Sequence, residues 1–179
     1  MIDADYRNTF ACKDLSNIAE AKKSTEEAIR ADHPKSRKTY SYIKNKHERY
    51  YLMFGEAYNL KCGYCGVTTS IHSFYSFEID HFICQSSNES DATIDNINNL
   101  VFSCDICNRN KHGLLIPEDY REILHPDLGS LGKVFKRNDD YSISVSPKFE
   151  SDECVNNFYK QLKLFYPSRR IDYLIMEID

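Results

Sequence analysis

The sequence predicts an α+β protein in which a small cysteine-rich core of strands and loops is flanked by helices. Three observations predict this fold class. Residues 61–113 hold five of the seven cysteines, the run 76–83 is typical of a strand, and apolar residues recur at helical spacing on both sides of that segment. With 179 residues, of which 41% are hydrophobic, the chain has about one domain's worth of sequence.

We therefore expect one domain in three parts. Residues 1–60 are predicted to form a helical N-terminal region with a basic helix, and residues 61–113 the cysteine-rich core. Residues 114–179 are predicted to form a hairpin and helices that pack on that core.

The composition excludes several classes of protein. No apolar run approaches the ~20 residues that a membrane-spanning helix needs. The acidic, polar start of the chain is not typical of a signal peptide, so we expect a cytoplasmic protein. The net charge of -4 excludes a globally basic nucleic-acid binder, although a local basic patch is compatible with it. Seven cysteines without a signal peptide argue against a disulfide framework and favour a metal site.

In the N-terminal region the pattern predicts a loose arm over residues 1–15 and a helix over 16–30. A second helix is predicted over 36–60. The segment 35–49, which covers its first half, is basic, with cations interleaved with tyrosines: Lys35, Arg37, Lys38, Lys44, Lys46 and Arg49. Such a face either binds phosphates or is simply solvated. Under the first interpretation, Lys44 and Lys46 are candidate substrate contacts.

In the C-terminal region Pro117 is predicted to begin a short helix, since Pro fits the first turn. The segments 131–137 and 141–145 alternate around Asn138-Asp139-Asp140, which predicts a hairpin. Two amphipathic helices are predicted over 151–165 and 168–178.

Two C-x-x-C pairs are the strongest motif in the chain: Cys62 with Cys65, and Cys104 with Cys107. Two residues between the cysteines of each pair allow four thiolates to surround one tetrahedral zinc ion. A redox C-x-x-C motif is the alternative. A closed four-cysteine site leaves no open coordination position, so this zinc is predicted to be structural.

Polar residues that suit catalysis lie between and beside these pairs. Asp80 and His81 are adjacent in the strand-like run, and they can serve one site only where the strand ends or bends. A lone histidine in such a run is more often a core residue. Asn108, however, directly follows a predicted zinc ligand, Cys107, and is therefore anchored with it.

The order Asp80-His81, Asn99-Leu100, then Cys-x-x-Cys-Asn-x-x-Lys over residues 104–111 resembles the HNH endonuclease signature. The resemblance covers about residues 61–113. It implies a ββα-metal fold with treble-clef zinc knuckles, and hydrolysis of phosphodiester bonds in DNA.

The resemblance also implies roles for individual residues. His81 would be the general base, and Asp80 and Asn108 would hold a divalent cation, Mg²⁺ or Mn²⁺. Asn99 would pin the loop that orients the histidine. Lys111 and Arg109 would contact phosphate.

The chain departs from the family pattern at several positions. Cys84 stands where a proline is frequent, the loop 84–98 has no glycine, and His112 stands where a glycine is frequent. His112 is therefore an alternative to Asn108 as the third signature residue. Asn96 and Asn98 are alternatives to Asn99.

The order of the flanking segments resembles that of the PtuB-like HNH proteins of Septu and retron anti-phage defence systems. This resemblance implies an ABC-type ATPase partner, an oligomer or complex, and a role in antiviral defence. The alternatives to a nuclease are a non-catalytic zinc module that recruits nucleic acid or protein, and an assembly subunit whose partner performs the chemistry.

Overall fold

The computed structural model describes residues 5–12, 14–36 and 38–178. Its α-helices are α1 (Ile18–Asp32), α2 (Tyr40–Ile43), α3 (Arg49–Glu56), α4 (Asp91–Ile94), α5 (Asp105–Lys111), α6 (Glu118–Leu124), α7 (Leu131–Val134), α8 (Glu153–Gln161) and α9 (Pro167–Ile178). Its strands are β1 (Phe77–His81), β2 (Leu100–Cys104), β3 (Phe135–Arg137) and β4 (Ile143–Val145). The predicted α+β class is confirmed.

The centre of the fold is an antiparallel pair of strands followed at once by a helix. β1 pairs with β2 so that Phe77 lies opposite Cys104 and His81 lies opposite Leu100. The rings of Phe77 and Phe102 stack at 4.8 Å, and both side chains are fully buried. α5 begins directly after β2, with Cys104 extended at its N-cap and Asp105 in its first turn, where an acid suits the helix dipole. The helix packs against both strands.

The N-terminal helices cover this unit from one side. Tyr51 of α3 is fully buried and donates a hydrogen bond from its hydroxyl to the carbonyl oxygen of Phe77, at 2.8 Å. Lys22 of α1 is also fully buried, and its Nζ lies 2.5 Å from Oδ2 of Asp127 and 2.7 Å from the carbonyl oxygen of Leu100. The hydrogen bond to Leu100 ties α1 to the start of β2, and the ion pair ties it to the turn that holds Asp127.

The single helix predicted over 36–60 is wrong. α2 and α3 are separate, because the turn 44–48 interrupts them. The side chain of Asn45 accepts a hydrogen bond from the amide of His47, and its carbonyl accepts one from Glu48, which competes with helical bonding. Arg37, one of the cations predicted on this helix, lies outside the described residues.

The loose arm predicted over residues 1–15 is wrong for its central part, while residues 1–4 lie outside the described chain. Tyr6 and Arg7 are each only 1% exposed. Nη1 of Arg7 donates to the carbonyl oxygens of Gly63, at 2.5 Å, and Pro126, at 2.8 Å. The arm is therefore part of the core, because it satisfies backbone carbonyls of the segment around Gly63.

The C-terminal predictions are confirmed with altered boundaries. α6 begins after Pro117, and β3 and β4 form the predicted hairpin, although residues 131–134 are helical rather than extended. α8 begins at a cap, where Asp152 accepts a hydrogen bond from the amide of Val155. It ends at Gln161 rather than near 165, since Lys163 has a positive φ of 51°.

No helix within the described ranges combines the length and the apolar character that crossing a bilayer requires. The division at 60/61 and 113/114 stays a prediction.

We expect Gly66→Ala to destabilise the protein more than Gly129→Ala. Both glycines have positive φ, 79° and 69°, so each substitution should cost about 1 kcal/mol from the backbone alone. A Cβ at Gly66 would also lie 2.5 Å from the carbonyl oxygen of Arg7, whereas one at Gly129 meets nothing within 4 Å. Overpacking at Gly66 should add about 1 to 3 kcal/mol. Urea unfolding of both variants measures the free energy of unfolding. Equal losses of stability would contradict the close approach of Arg7 to Gly66.

Candidate active site and metal centre

The four cysteines of the C-x-x-C pairs form one buried cluster. The Sγ atoms of Cys62, Cys65, Cys104 and Cys107 all lie within 4.8 Å of one another. A tetrahedral zinc ion with Zn–S bonds of about 2.3 Å requires sulfur atoms about 3.8 Å apart. The Cys65 and Cys104 sulfurs are 3.8 Å apart. The cluster therefore fits a metal such as zinc, in agreement with the sequence prediction.

The chain around Cys62 is bent into a tight turn that presents the first pair of cysteines. The amide of Gly66 donates to the carbonyl oxygen of Cys62 at 2.9 Å, and the amide of Cys62 donates to Val67 at 2.8 Å. The amide of Gly63 donates to the carbonyl oxygen of Phe102 at 2.8 Å. This last bond fixes the turn against β2, whose final residue, Cys104, begins the second pair.

His81 ends β1 and is 7% exposed. Its ring lies 4.4 Å from the ring of Tyr40, and its buried Nε2 atom has no hydrogen-bond partner among the described residues. Burial lowers the pKa of His81 to about 4; Lys111 also lowers it, and Asp95 opposes the shift. The imidazole is therefore neutral at neutral pH, with a nitrogen free to accept a proton.

Asp95 is a neighbour of His81 that sequence reasoning missed. Its Oδ1 lies 3.9 Å from Nε2 of His81, and its Oδ2 lies 3.0 Å from Nζ of Lys38. Asp95 follows α4 and is distant from His81 in the chain, so no local pattern relates the two residues.

Asp80 is 6% exposed, and its carboxylate is held by two donors. The hydroxyl of Tyr64 donates to Oδ2 at 2.5 Å, and Nζ of Lys111 lies 3.0 Å from the same oxygen. Burial raises the pKa of Asp80, while Lys111 and Tyr64 act in the opposite direction. The carboxylate is thus fixed in place beside His81.

The structure corrects the expectation that Lys111 contacts phosphate. Its side chain is fully buried, and Nζ also donates to the carbonyl oxygen of His81 at 2.7 Å. Lys111 lies one helical turn after Asn108, so it faces β1 rather than solvent. In this position it neutralises Asp80 and holds the end of β1.

Asn108 is half-buried and donates a hydrogen bond from its side-chain nitrogen to Oε2 of Glu78. Its amide oxygen remains an acceptor. Glu78 is a second residue that sequence reasoning missed. It lies two positions before Asp80 on β1, and residues two apart share a face of a strand, so that signal was present in the sequence.

Asn99 holds the segment that follows His81. Its Nδ2 donates to the carbonyl oxygens of Ile83, at 3.1 Å, and Ile94, at 2.9 Å, and its Oδ1 accepts from the amide of Ile83 at 2.7 Å. Among the described residues, the side chains of the alternatives, Asn96 and Asn98, make no such bonds to this loop. The side chain of Asn96 caps the amide of Asn98 at 2.9 Å. The described contacts therefore favour Asn99 as the residue that pins this loop.

One cleft of about 390 Å³ brings several predicted residues together. Asp80, His81, Asn108, Arg109 and His112 all line it. His112 is exposed and directly follows α5, where its φ is positive at 43°. Asn108, by contrast, lies within α5.

The remaining basic candidates differ in their distance from this cleft. Tyr40 forms part of the cleft wall, and Nζ of Lys44 lies 5.5 Å from its ring. Arg109 is exposed and pairs with Asp105 at 2.6 Å. Lys46 donates to the carbonyl oxygen of Tyr75 at 2.7 Å and is not part of the cleft lining. The structure thus brings Arg109 and Lys44 close to the cleft, but not Lys46.

Comparison with known proteins gives one family. Residues 62–113 match the family model for HNH endonuclease. No curated protein and no solved structure matches the chain. The matched range coincides with the cysteine-rich core, and it confirms the resemblance drawn from the sequence. An HNH domain indicates a nuclease or a metal-binding module, and HNH domains bind nucleic acid.

We expect the His81 ring to stay neutral at about pH 5.5, where an ordinary histidine is mostly protonated. The reason is burial, which lowers the pKa to about 4. The measurement is an NMR titration of the ring carbon shifts from about pH 8 downwards, with the signal assigned by its loss in His81→Gln. A titration midpoint near the ordinary histidine pKa of 6.5 would contradict the expected effect of burial on the pKa of His81.

We expect Cys104→Ser to lose bound zinc and to melt at a lower temperature, because metal binding contributes to the folding free energy. Cys84→Ser is the matched control. Cys84 is also buried, but its Sγ contacts Oγ of Ser86 at 3.3 Å rather than the cluster. Zinc content per chain and thermal melting are measured for both variants. Full zinc content and normal melting in Cys104→Ser would exclude Cys104 as a zinc ligand.

Proposed function

Because residues 62–113 match the family model for HNH endonuclease, we propose that this chain is a metal-dependent endonuclease that hydrolyses phosphodiester bonds in DNA. One observation supports it above the others. A buried, neutral His81 with an unpartnered nitrogen lines the same cleft as the oxygen-bearing Asp80 and Asn108.

His81 is proposed as the general base. A neutral imidazole can take the proton from a water molecule that attacks the phosphorus atom. The ring and the backbone beside it are held by three contacts. Tyr40 packs on the ring, Lys111 donates to the carbonyl oxygen of His81, and Asn99 bonds to the backbone of Ile83. The base is therefore oriented before substrate arrives.

Asp80 and Asn108 are proposed to hold the catalytic cation. Carboxylate and amide oxygens are the ligands that Mg²⁺ and Mn²⁺ prefer. A carboxylate has about four acceptor positions, so Asp80 can keep its bonds to Tyr64 and Lys111 and still bind a cation. Glu78, bonded to Asn108, adds a nearby carboxylate. Such an ion would supply charge stabilisation at the scissile phosphate and the leaving oxygen.

Arg109 and Lys44 are proposed to contact the DNA backbone at the mouth of the cleft. The net charge of the chain is -4, so free DNA should be held weakly at physiological salt. A partner that supplies more positive charge would raise the affinity. This supports action within a complex.

The resemblance to PtuB-like proteins extends the proposal to a cytoplasmic effector of anti-phage defence that works in an oligomer or complex with an ABC-type ATPase. It rests on the order of the sequence segments flanking the core. Without a match among curated proteins, this part of the proposal depends on the sequence alone.

A non-catalytic zinc module is the second candidate function, and the closed four-cysteine cluster supports it. Such a module needs the cysteines only. It does not require a side chain such as Asn99 to hold the loop after His81, or a buried lysine to hold Asp80, and these contacts favour the nuclease.

We expect wild type to cleave plasmid DNA with Mg²⁺ or Mn²⁺, and His81→Ala to be slower by at least about 100-fold, the usual contribution of a general base. His47→Ala is the control, since His47 is exposed and lies outside the cleft lining. Gel conversion of supercoiled plasmid measures the rate. Equal rates for wild type and His81→Ala would overturn the base assignment.

The same assay separates the two candidates for the third signature residue. Asn108→Ala should lose cleavage, whereas His112→Ala should keep most of it. The opposite result would give the role to His112. Absence of cleavage by wild type itself would favour the zinc module or a nuclease that works only with its partner.

A further inference from the structure

Arg169 is a buried arginine at the start of α9 that approaches the cysteine cluster. It is 3% exposed, whereas the next residue, Arg170, is exposed. Nη1 of Arg169 lies 3.3 Å from Sγ of Cys65, and Nη2 lies 3.2 Å from Sγ of Cys107. Nη1 is also 3.9 Å from Sγ of Cys104. One guanidinium group thus contacts sulfurs from both C-x-x-C pairs.

The charge of this arginine has no carboxylate partner in the described part of the chain. Its other side-chain contact is with the carbonyl oxygen of Leu162, at 3.4 Å. A buried cation without a nearby negative charge is strongly unfavourable. Thiolate sulfurs are the negative groups within reach, so the burial of Arg169 is explained when the cysteines are ionised, as metal ligands are.

The chemistry of the cluster requires such a cation. A divalent metal bound by four thiolates leaves a surplus of negative charge in a buried site. Hydrogen bonds from neighbouring donors to metal ligands orient those ligands and affect metal affinity. The planar guanidinium presents two nitrogens at once, as the contacts to Cys65 and Cys107 require.

We propose that Arg169 is a positioning residue of the metal centre. It donates N–H···S hydrogen bonds to Cys65 and Cys107, slows the loss of the metal, and fastens α9 to the cluster. The inference needs the metal site but not DNA cleavage, so it goes beyond the proposed nuclease function.

The packing of α9 supports the second part of this proposal. The buried residues of this helix are Arg169 and Met176. On its outer side Ile171, Ile175 and Ile178 are exposed. The helix is also attached by His72 with Asp172 at 3.1 Å and by the ring of Tyr173, which stacks on Tyr141 at 5.8 Å. The bonds of Arg169 to the cysteine sulfurs attach the first turn of the helix directly to the cluster.

The first test is the rate of zinc transfer from the folded protein to a chromophoric chelator. Arg169→Gln should release zinc at least about tenfold faster than wild type, as is usual when a residue bonded to metal ligands is removed. Arg170→Gln makes the same charge change one position later and should release zinc at the wild-type rate. An unchanged rate in Arg169→Gln would overturn the proposal.

A second measurement applies if Arg169→Gln does not accumulate as folded protein. The Co²⁺-substituted forms of wild type, Arg169→Lys and Arg170→Lys are compared by absorption spectroscopy. A lysine keeps the charge but has one nitrogen, so it cannot reproduce the contact of two nitrogens with Cys65 and Cys107. The weaker hydrogen bonding should move the thiolate-to-cobalt charge-transfer band to lower energy in Arg169→Lys only. A band at the wild-type position in folded Arg169→Lys would overturn the proposal. Neither measurement involves DNA, so failure of the nuclease proposal leaves this test intact.

Discussion

Four buried thiols converge where three parts of the chain meet, and the candidate active site depends on that convergence. The turn 62–65, the end of β2 and the first turn of α5 each contribute cysteine side chains. The central sheet has two short strands, and a bound metal would add folding free energy to the packing around them. Cys107 is followed directly by Asn108, and Cys104 ends the strand paired with β1. Fixing the cysteines therefore fixes Asn108 relative to Asp80 and His81.

Much of this arrangement could be predicted because it depends on local pattern. Cysteine spacing predicted the cluster, periodicity predicted β1 and α9 to within a few residues, and Pro117 predicted the start of α6. The helix predicted over 36–60 was wrong because one polar side chain, Asn45, bonds to the backbone and interrupts it. The burial of Arg7, Lys22, Lys111 and Arg169 could not be predicted. Each has partners distant in the chain, and nothing in the local sequence distinguishes it from a surface cation.

These buried cations have a common structural role. Each donates to groups that would otherwise lie unsatisfied around the core: carbonyl oxygens for Arg7, a carboxylate with carbonyl oxygens for Lys22 and Lys111, and thiol sulfurs for Arg169. A small domain with short strands leaves many backbone ends inside, and long cationic side chains reach them from outside the sheet. The buried cations are themselves paired, Lys22 with Asp127, Lys111 with Asp80 and Arg169 with the cysteine cluster.

The bonds of Asn99 to Ile83 and Ile94 also have a consequence for how this fold can vary. These bonds hold the two ends of the segment between Ile83 and Ile94 together. They do not depend on which residues lie inside the segment. Lengthening such a loop adds little closure entropy, since that cost grows only with the logarithm of length. The segment is thus a position where insertions can be accommodated. New elements can be inserted there, beside His81, without changing the bonds by which Asn99 holds the segment.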